Sequence, residues 1–301
     1  MDNSQSQTAW SNYWTNITDE KASCIVGDKS GIANDLLNQT WRQALSKTKE
    51  ANMPIKVLEL ACGSGFLTRL AVGYLGDVIE RYVAVDYADI TSIEFPDKVE
   101  VIANTSIETL DLGNEKFDLI VSNFGFEYSN VEVTVPVITN LLAKDGRIVF
   151  NCHTMNSGLH QDSISIVNAY RQWRQQLPVE ELYVQMRANP GDIELIKTYF
   201  VKLSQIDQSN QSGITKMGLI DEVLPLIQQQ LAGIESESKM TTYIQNCEQY
   251  VERLNHQASA SEAANKIVTL YNKLSGELLT SEKVFSLNGD PFSKLITVSA
   301  N

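Results

Sequence analysis

Hydrophobic residues near the N-terminus recur at helical spacing. Three aromatic residues occupy positions i, i+3 and i+4, which share one face of a helix: Trp10, Tyr13 and Trp14. Apolar residues repeat this spacing over residues 32–45, and the glycine-containing segment 24–31 predicts a loop between the two helices. The pattern therefore predicts a helical arm over residues 1–50.

Short apolar runs replace the helical spacing from residue 55 onwards. Residues 66–75 and 133–142 have helical spacing, and between and around them lie five runs with the length of buried strands: residues 55–60, 82–86, 99–103, 117–122 and 147–152. Strands that alternate with helices predict βαβ units and a mainly parallel sheet, which we place at residues 51–155.

The segment 156–280 is polar and has helical spacing along much of its length. Strand patterns return at residues 283–287 and 294–298, on either side of an Asn-Gly turn, and so short a turn makes two strands antiparallel. We therefore expect a helical cap inserted into the α/β core, followed by a hairpin over residues 281–301 that completes the sheet.

Charge and composition restrict the kinds of molecule that the chain is expected to bind. The chain has 24 Lys and Arg against 37 Asp and Glu, a formal net charge of −13, and an acidic surface repels phosphate backbones, so we expect no nucleic-acid partner. No apolar stretch reaches the roughly 18 residues of a membrane span. The polar N-terminus is unlike a signal peptide, so we expect a cytoplasmic location and no membrane partner.

The spacing of cysteines and histidines indicates no metal site. The sequence has no C-x-x-C pair, and its candidate ligands are far apart: Cys24, Cys62, Cys152, Cys247, His153, His160 and His256. We expect no metal, and cysteines that are reduced and structural.

A glycine turn follows the first predicted strand. Residues 59–66, ELACGSGF, run from a strand through Gly63 and Gly65 into a helix, and glycine lets the backbone approach a ligand closely. Asp86 ends the second strand, 21 residues beyond Gly65, where a carboxylate accepts hydrogen bonds from a ribose. The two features together predict a cofactor that contains a nucleoside.

The dinucleotide fingerprint G-x-G-x-x-G is incomplete in both registers. After Gly63 and Gly65, the third glycine position holds Thr68; the other register would need glycine where Ala61 and Phe66 stand. A nicotinamide-dependent oxidoreductase is therefore the weaker interpretation.

Four segments in order resemble the class I S-adenosylmethionine-dependent methyltransferases. They are ELACGSG, AVDYA, KFDLIVSNFGFEYS and LLAKDGRIVF, all within residues 55–155. The segment around Trp10 to Trp14 and the F-G-x-E-Y run also resemble a group of bacterial small-molecule methyltransferases. One departure is Ala61, where many members have glycine. The resemblance implies a Rossmann-like α/β fold with a seven-stranded, mainly parallel sheet and an antiparallel C-terminal strand.

The resemblance also implies which residues bind S-adenosylmethionine and its product, S-adenosylhomocysteine. Residues that match the glycine turn line the methionine part, the residue that matches Asp86 binds the ribose, and Asn104 is the candidate for the adenine. Tyr13 is the residue of the N-terminal arm expected to touch the ligand if the arm forms a lid. The cofactor-binding candidates are Tyr13, Glu59, Ala61, Gly63, Gly65, Asp86, Tyr87, Asn104, Thr105 and Asn123.

Catalytic candidates follow the fourth and fifth strands, because open α/β sheets bind ligands at the carboxyl ends of their strands. Glu127 and His153 are possible general bases, and Glu127 could instead hold a cationic amine. Tyr128 completes the predicted catalytic set, with Phe124 and His160 nearby in sequence. The alternative is that these residues serve hydrogen bonding and packing alone, and a thiolate or amine acceptor needs no base.

Three functions remain open. The first is methyl transfer to an O, N or S atom of a small molecule, with the helical insertion enclosing the acceptor through residues such as Trp173, Tyr183, Met186 and Tyr243. The second is methylation of a protein, and the third is binding without catalysis. The insertion could also serve as the contact surface of a homodimer.

Overall fold

The computed structural model describes residues 3–16, 31–274 and 278–300. The chain divides into two compact units: unit 1 is Met1–Ser157 with Ser259–Asn301, and unit 2 is Gly158–Ala258. The predicted loop at residues 24–31 lies, apart from Gly31, outside the described residues.

The described residues form helices in the arm, between the strands and throughout unit 2. In chain order the helices are α1 (Asn3–Asn16), α2 (Ile32–Ala51), α3 (Phe66–Leu75), α4 (Val131–Leu141), α5 (Gly158–Gln176), α6 (Val179–Ala188), α7 (Ile193–Ser209), α8 (Gly213–Lys216), α9 (Leu219–Leu231) and α10 (Glu237–Leu274). The strands are β1 (Ile55–Leu60), β2 (Ile79–Val85), β3 (Val99–Ile102), β4 (Phe117–Asn123), β5 (Leu142–Cys152), β6 (Leu278–Leu287) and β7 (Asp290–Ala300).

The seven strands form one sheet in the order β3-β2-β1-β4-β5-β7-β6. Strands β1 to β5 are parallel to their neighbours, whereas β7 is antiparallel to β5 and β6 is antiparallel to β7. The predicted Rossmann-like fold with an antiparallel C-terminal hairpin is confirmed. The strand order reverses between β1 and β4, and ligands bind at such a switch point, beyond the carboxyl ends of the strands.

Unit 1 packs helices on both faces of the sheet, because neighbouring strand residues point to opposite sides. Val57 joins a core that includes Trp41 of α2 and Leu67 of α3. Leu58 joins the opposite core, with Ile138 of α4 among its members. The C-terminal part of α10 belongs to that second core through Ala264, Ile267 and Tyr271. Both faces of the sheet are therefore covered, so a ligand site is expected at the carboxyl ends of the strands.

Strand β5 begins earlier than the sequence pattern predicts. Phe117 pairs with Leu142 and Leu119 pairs with Arg147, so two residues of β4 span five positions of β5. The additional residues of β5 form an irregularity in the pairing. Because they include the charged residues Lys144 and Asp145, they do not read as part of a strand in the hydrophobic pattern. Gly146 lies there; a Cβ on it would be 3.0 Å from the carbonyl oxygens of Ala143 and Phe117.

Unit 2 has a hydrophobic core of its own, built from α5 to α9 and the first part of α10. The four predicted pocket-lining residues of this region contribute to that core: Trp173, Tyr183 and Met186 are buried in it and Tyr243 packs against it. His160 is also buried in unit 2. Across the described segments, no helix combines the length and hydropathy that a membrane span requires.

Candidate functional site

A turn of left-handed backbone connects β1 to α3. Ala61, Gly63 and Gly65 all have positive φ, at 53°, 51° and 78°. This conformation costs a non-glycine residue about 1–2 kcal/mol, so Ala61 is strained at a position where many members of the resembling family have glycine. The backbone therefore bends sharply at the carboxyl end of β1, next to the switch point of the sheet.

Asp86 connects this turn to the end of β2. Its Oδ2 accepts a hydrogen bond from the backbone N–H of Gly63 at 2.7 Å, and its Oδ1 accepts one from the N–H of Ala88 at 2.8 Å. Burial raises the pKa of Asp86 to about 6, although these backbone donors oppose the shift. The predicted ribose-binding carboxylate thus lies against the glycine turn and orders it.

Glu59 lies inside the core, one residue before the last residue of β1. Its Oε2 accepts hydrogen bonds from the hydroxyl groups of Thr68 and Tyr82, each at 2.6 Å, and the residue is 1% exposed. Burial raises the pKa of Glu59 to about 7. This carboxyl group fastens α3 and β2 to β1 beneath the turn.

The residues after β2 and β3 meet on the other side of Asp86. The N–H of Thr105 donates to the Asp86 carbonyl oxygen, and Asn104 has a positive φ of 55°. The side chain of Gln7 in α1 donates to the carbonyl oxygen of Tyr87 at 2.9 Å. An open concavity of about 580 Å³, mainly apolar and lined in part by Asn104, adjoins these residues.

Aromatic side chains cover the glycine turn. A Cβ on Gly63 would lie 2.6 Å from Cζ2 of Trp14, and one on Gly65 would lie 2.8 Å from Cε1 of Phe95. Tyr13, the arm residue expected at the ligand, packs edge-on against Trp14 with ring centroids 4.8 Å apart. The sequence pointed to Tyr13, whereas the structure places Trp14 at the turn. The sequence pattern gives no indication that Phe95 lies at this turn.

The loop after β4 touches the glycine turn. Asn123, at the end of β4, accepts hydrogen bonds from the indole N–H of Trp41 at 2.8 Å and from the side chain of Asn151 at 2.9 Å. A Cβ on Gly125 would lie 2.4 Å from the Cβ of Ala61. The predicted catalytic segment is therefore in direct contact with the predicted cofactor turn.

The contact between Ala61 and Gly125 predicts a measurable coupling. Gly125→Ala should lower the free energy of unfolding by about 1–3 kcal/mol because of overpacking, and Ala61→Gly in the same chain should restore most of it. Urea unfolding of the four members of the cycle measures the coupling. Gly73→Ala in α3 is the matched control, because nothing lies within 4 Å of the added Cβ. Additive effects at positions 61 and 125 would contradict the contact.

Glu127 and His153 form a buried pair at the ends of β4 and β5. Oε1 of Glu127 accepts hydrogen bonds from the backbone N–H of His153 at 2.9 Å and pairs with Nδ1 of its ring at 2.8 Å. The two side chains are 0% and 8% exposed. Because a carboxylate only accepts, Nδ1 carries the proton and Nε2 retains a lone pair. Oε2 of Glu127 is buried without a hydrogen-bond partner among the described residues.

Tyr128 completes the cluster of predicted catalytic residues. Its ring is edge-on to His153, at 5.7 Å between centroids, and edge-on to Trp10 of α1, at 5.2 Å. Burial and the nearby Glu127 raise the pKa of Tyr128 well above its ordinary value. A phenol held neutral in this way packs and donates rather than acting as a base.

Residues 58–150 match the family model described as a methyltransferase domain. Among solved structures, the plantazolicin methyltransferase BpumL in complex with SAH is 12% identical, with a TM-score of 0.47, over 99% of this chain and 96% of that chain. The N-methyltransferase NodS from Bradyrhizobium japonicum WM9 is 18% identical, with a TM-score of 0.37, over 49% of this chain and 72% of that chain. No curated protein matches the chain.

The strand order and the match over residues 58–150 agree on the class of protein. This stretch is a methyltransferase domain, and it contains the glycine turn, Asp86 and the Glu127 loop. Over these residues, the resemblance to methyltransferases that the sequence indicated is confirmed. The two solved structures are too distant to bear on the acceptor.

Proposed function

We propose that the chain transfers a methyl group from S-adenosylmethionine to an O, N or S atom of a small molecule. The observation that carries the proposal is the hydrogen bond from Gly63 N–H to Asp86, which joins the turn after β1 to the end of β2 at the switch point. That junction lies within the methyltransferase match. A turn and a carboxylate so joined suit a ligand that has both a ribose and a charged tail.

The residues present fit S-adenosylmethionine. The rings of Trp14 and Phe95 lie directly against Gly63 and Gly65, where a Cβ would clash with them, so the bare backbone of the turn accepts flat groups in close contact. We propose that Asp86 binds the ribose, with Glu59 supporting the turn from beneath and the concavity beside Asn104 taking the adenine. The remaining proposed cofactor-binding residues are Tyr13, Ala61, Tyr87, Thr105 and Asn123.

The bound cofactor supplies a methyl group on a sulfonium; transfer breaks that C–S bond, leaves its electron pair on sulfur and forms the bond to the acceptor atom. The chain must hold the acceptor and remove its proton. We propose that Nε2 of His153 accepts the proton and that Glu127, bonded to Nδ1, positions the ring and stabilises its protonated form. Tyr128 shields the pair from water.

Two observations support a small acceptor. The formal net charge of −13 disfavours nucleic acid, and aromatic rings crowd the proposed base: Phe124 lies 4.5 Å and Tyr128 5.7 Å from the His153 ring, between centroids. We keep protein methylation as the alternative.

Transfer of a labelled methyl group to a cell extract tests the proposal. The purified chain should move label into the small-molecule fraction after separation by size, and Asp86→Ala should abolish the transfer. Label in the protein fraction alone would establish the alternative. No transfer to either fraction by protein that has been shown to be folded would contradict an enzymatic function.

A further inference from the structure

The two carboxyl oxygens of Glu127 differ in their hydrogen bonding. Oε1 accepts two hydrogen bonds from His153, while Oε2 is buried without a partner among the described residues. A buried carboxylate oxygen that receives no hydrogen bond loses its hydration without compensation. A ligand that donates a hydrogen bond to Oε2 would remove that cost.

Aromatic rings surround the histidine that bonds to this carboxylate. Phe124 and Tyr128 flank the ring of His153, and Trp10 packs on Tyr128. Phe124 also meets Phe292 of β7 edge-on, with 6.0 Å between centroids. The faces of such rings carry negative potential and attract cations, most strongly where water is excluded.

Within the part of the chain that the structure describes, no Lys or Arg side chain pairs with the Glu127 carboxylate. His153 is the only ion-pair partner of Glu127 found among the described residues. The thiol of Cys152 also contacts the Glu127 carboxyl group, but a thiol is a weak and uncharged donor. Lys294 of β7 acts on Cys152, and its ammonium group is bound to Asn265 and Glu282. The cluster thus combines a carboxylate with neighbouring aromatic rings, and this combination stabilises positive charge and destabilises an anion.

From these observations we propose that the acceptor of this site is an amine, which Glu127 and the rings of Phe124, Tyr128 and Trp10 recognise through its positive charge. The inference rests on the proposed function and specifies its acceptor atom. A phenolate or carboxylate acceptor would place a second negative charge beside Glu127, whereas an ammonium group donates to Oε2 and adds a compensating charge.

The charge balance of the reaction also favours nitrogen. The ammonium group gives one proton to Nε2 of His153 and becomes a neutral amine with a lone pair. That lone pair forms the C–N bond as the C–S bond of the sulfonium breaks with its electrons left on sulfur, so the positive charge moves to nitrogen. Both the bound amine and its methylated product are therefore cations held by the same carboxylate.

A pair of probes with the same shape tests the inference. N,N-dimethylethanolamine carries a dimethylammonium group with one N–H at neutral pH, and 3-methyl-1-butanol carries a neutral isopropyl group in the same place. With the chain saturated by S-adenosylhomocysteine, tryptophan fluorescence should show N,N-dimethylethanolamine binding at least about 10-fold more tightly than 3-methyl-1-butanol. Equal binding of the two, or binding of neither, overturns the inference.

Matched variants separate the carboxylate from general charge effects. Glu127→Gln keeps an oxygen for His153 and should reduce the preference for N,N-dimethylethanolamine over 3-methyl-1-butanol to nearly nothing. Glu132→Gln removes an exposed charge from α4 and should leave it unchanged. Tyr128→Leu should lower it several-fold and serves as the second variant if Glu127→Gln does not fold. An unchanged preference in both site variants overturns the inference, whereas failure to bind S-adenosylhomocysteine at all would instead contradict the proposed function.

Discussion

His153→Asn is expected to lower kcat by about 10²–10⁴-fold, the usual contribution of a positioned general base. Asparagine keeps a donor for Oε1 of Glu127 but lacks the lone pair that Nε2 presents. The loss should therefore fall on kcat, with little change in the affinity for S-adenosylhomocysteine. Steady-state kinetics with the acceptor found in the labelling experiment measure it.

Histidine 256 offers a control for this substitution. His256 pairs with Glu252 at 3.0 Å along α10 in unit 2. His256→Asn thus removes a histidine from a similar pair elsewhere and should leave kcat unchanged.

Raising the pH should also narrow the deficit in kcat of His153→Asn, since an amine acceptor then loses its proton to solvent. A deficit that is independent of pH would contradict the role of base.

Glu59→Gln is expected to alter how stability depends on pH. The pKa of Glu59 is raised from an ordinary 4.5 to about 7 in the folded chain, so folding favours its protonated form. Its contribution to stability is fully present below pH 4.5 and is lost as the pH rises through 7, a decline of about 3 kcal/mol. Glutamine is neutral throughout and keeps an oxygen for Thr68 and Tyr82.

Urea unfolding from pH 4.5 to 8 tests this expectation. The free energy of unfolding of the wild-type chain should fall relative to that of Glu59→Gln as the pH rises, and the difference between the two isolates Glu59 from Asp86, which titrates in both. Parallel curves would mean that Glu59 keeps its ordinary pKa. Because a cationic cofactor favours the ionised carboxyl group, we expect Glu59→Gln to weaken S-adenosylmethionine binding even where it stabilises the fold.

The local parts of the fold could be predicted because their signals are local. Helix α3 begins and ends as predicted, at Phe66 and Leu75, since a glycine turn precedes it and a glycine follows it. The early start of β5 was missed because charged residues interrupt its apolar pattern. The sequence also gives no sign of where unit 2 ends, because helical spacing continues along the whole of α10. The first part of this helix belongs to unit 2 and its last part to unit 1.

Contacts across the site could be predicted only in part. Glu127 and His153 were each singled out from their places after strands, but nothing in the spacing of residues 26 positions apart indicates that they pair. The same holds for Trp14 and Gly63, whose contact depends on where α1 folds back. Sequence motifs indicate at which strand end a residue lies, whereas the side chain that it contacts depends on how the elements pack in three dimensions.

Calorimetric titration of the purified chain with S-adenosylhomocysteine tests the central claim most directly. We expect saturable heat at one site per chain, and at least about 100-fold weaker binding to Asp86→Ala, which loses the ribose contact and leaves two backbone N–H groups without their acceptor. Absence of heat with folded wild-type chain, or equal binding to both chains, would contradict it.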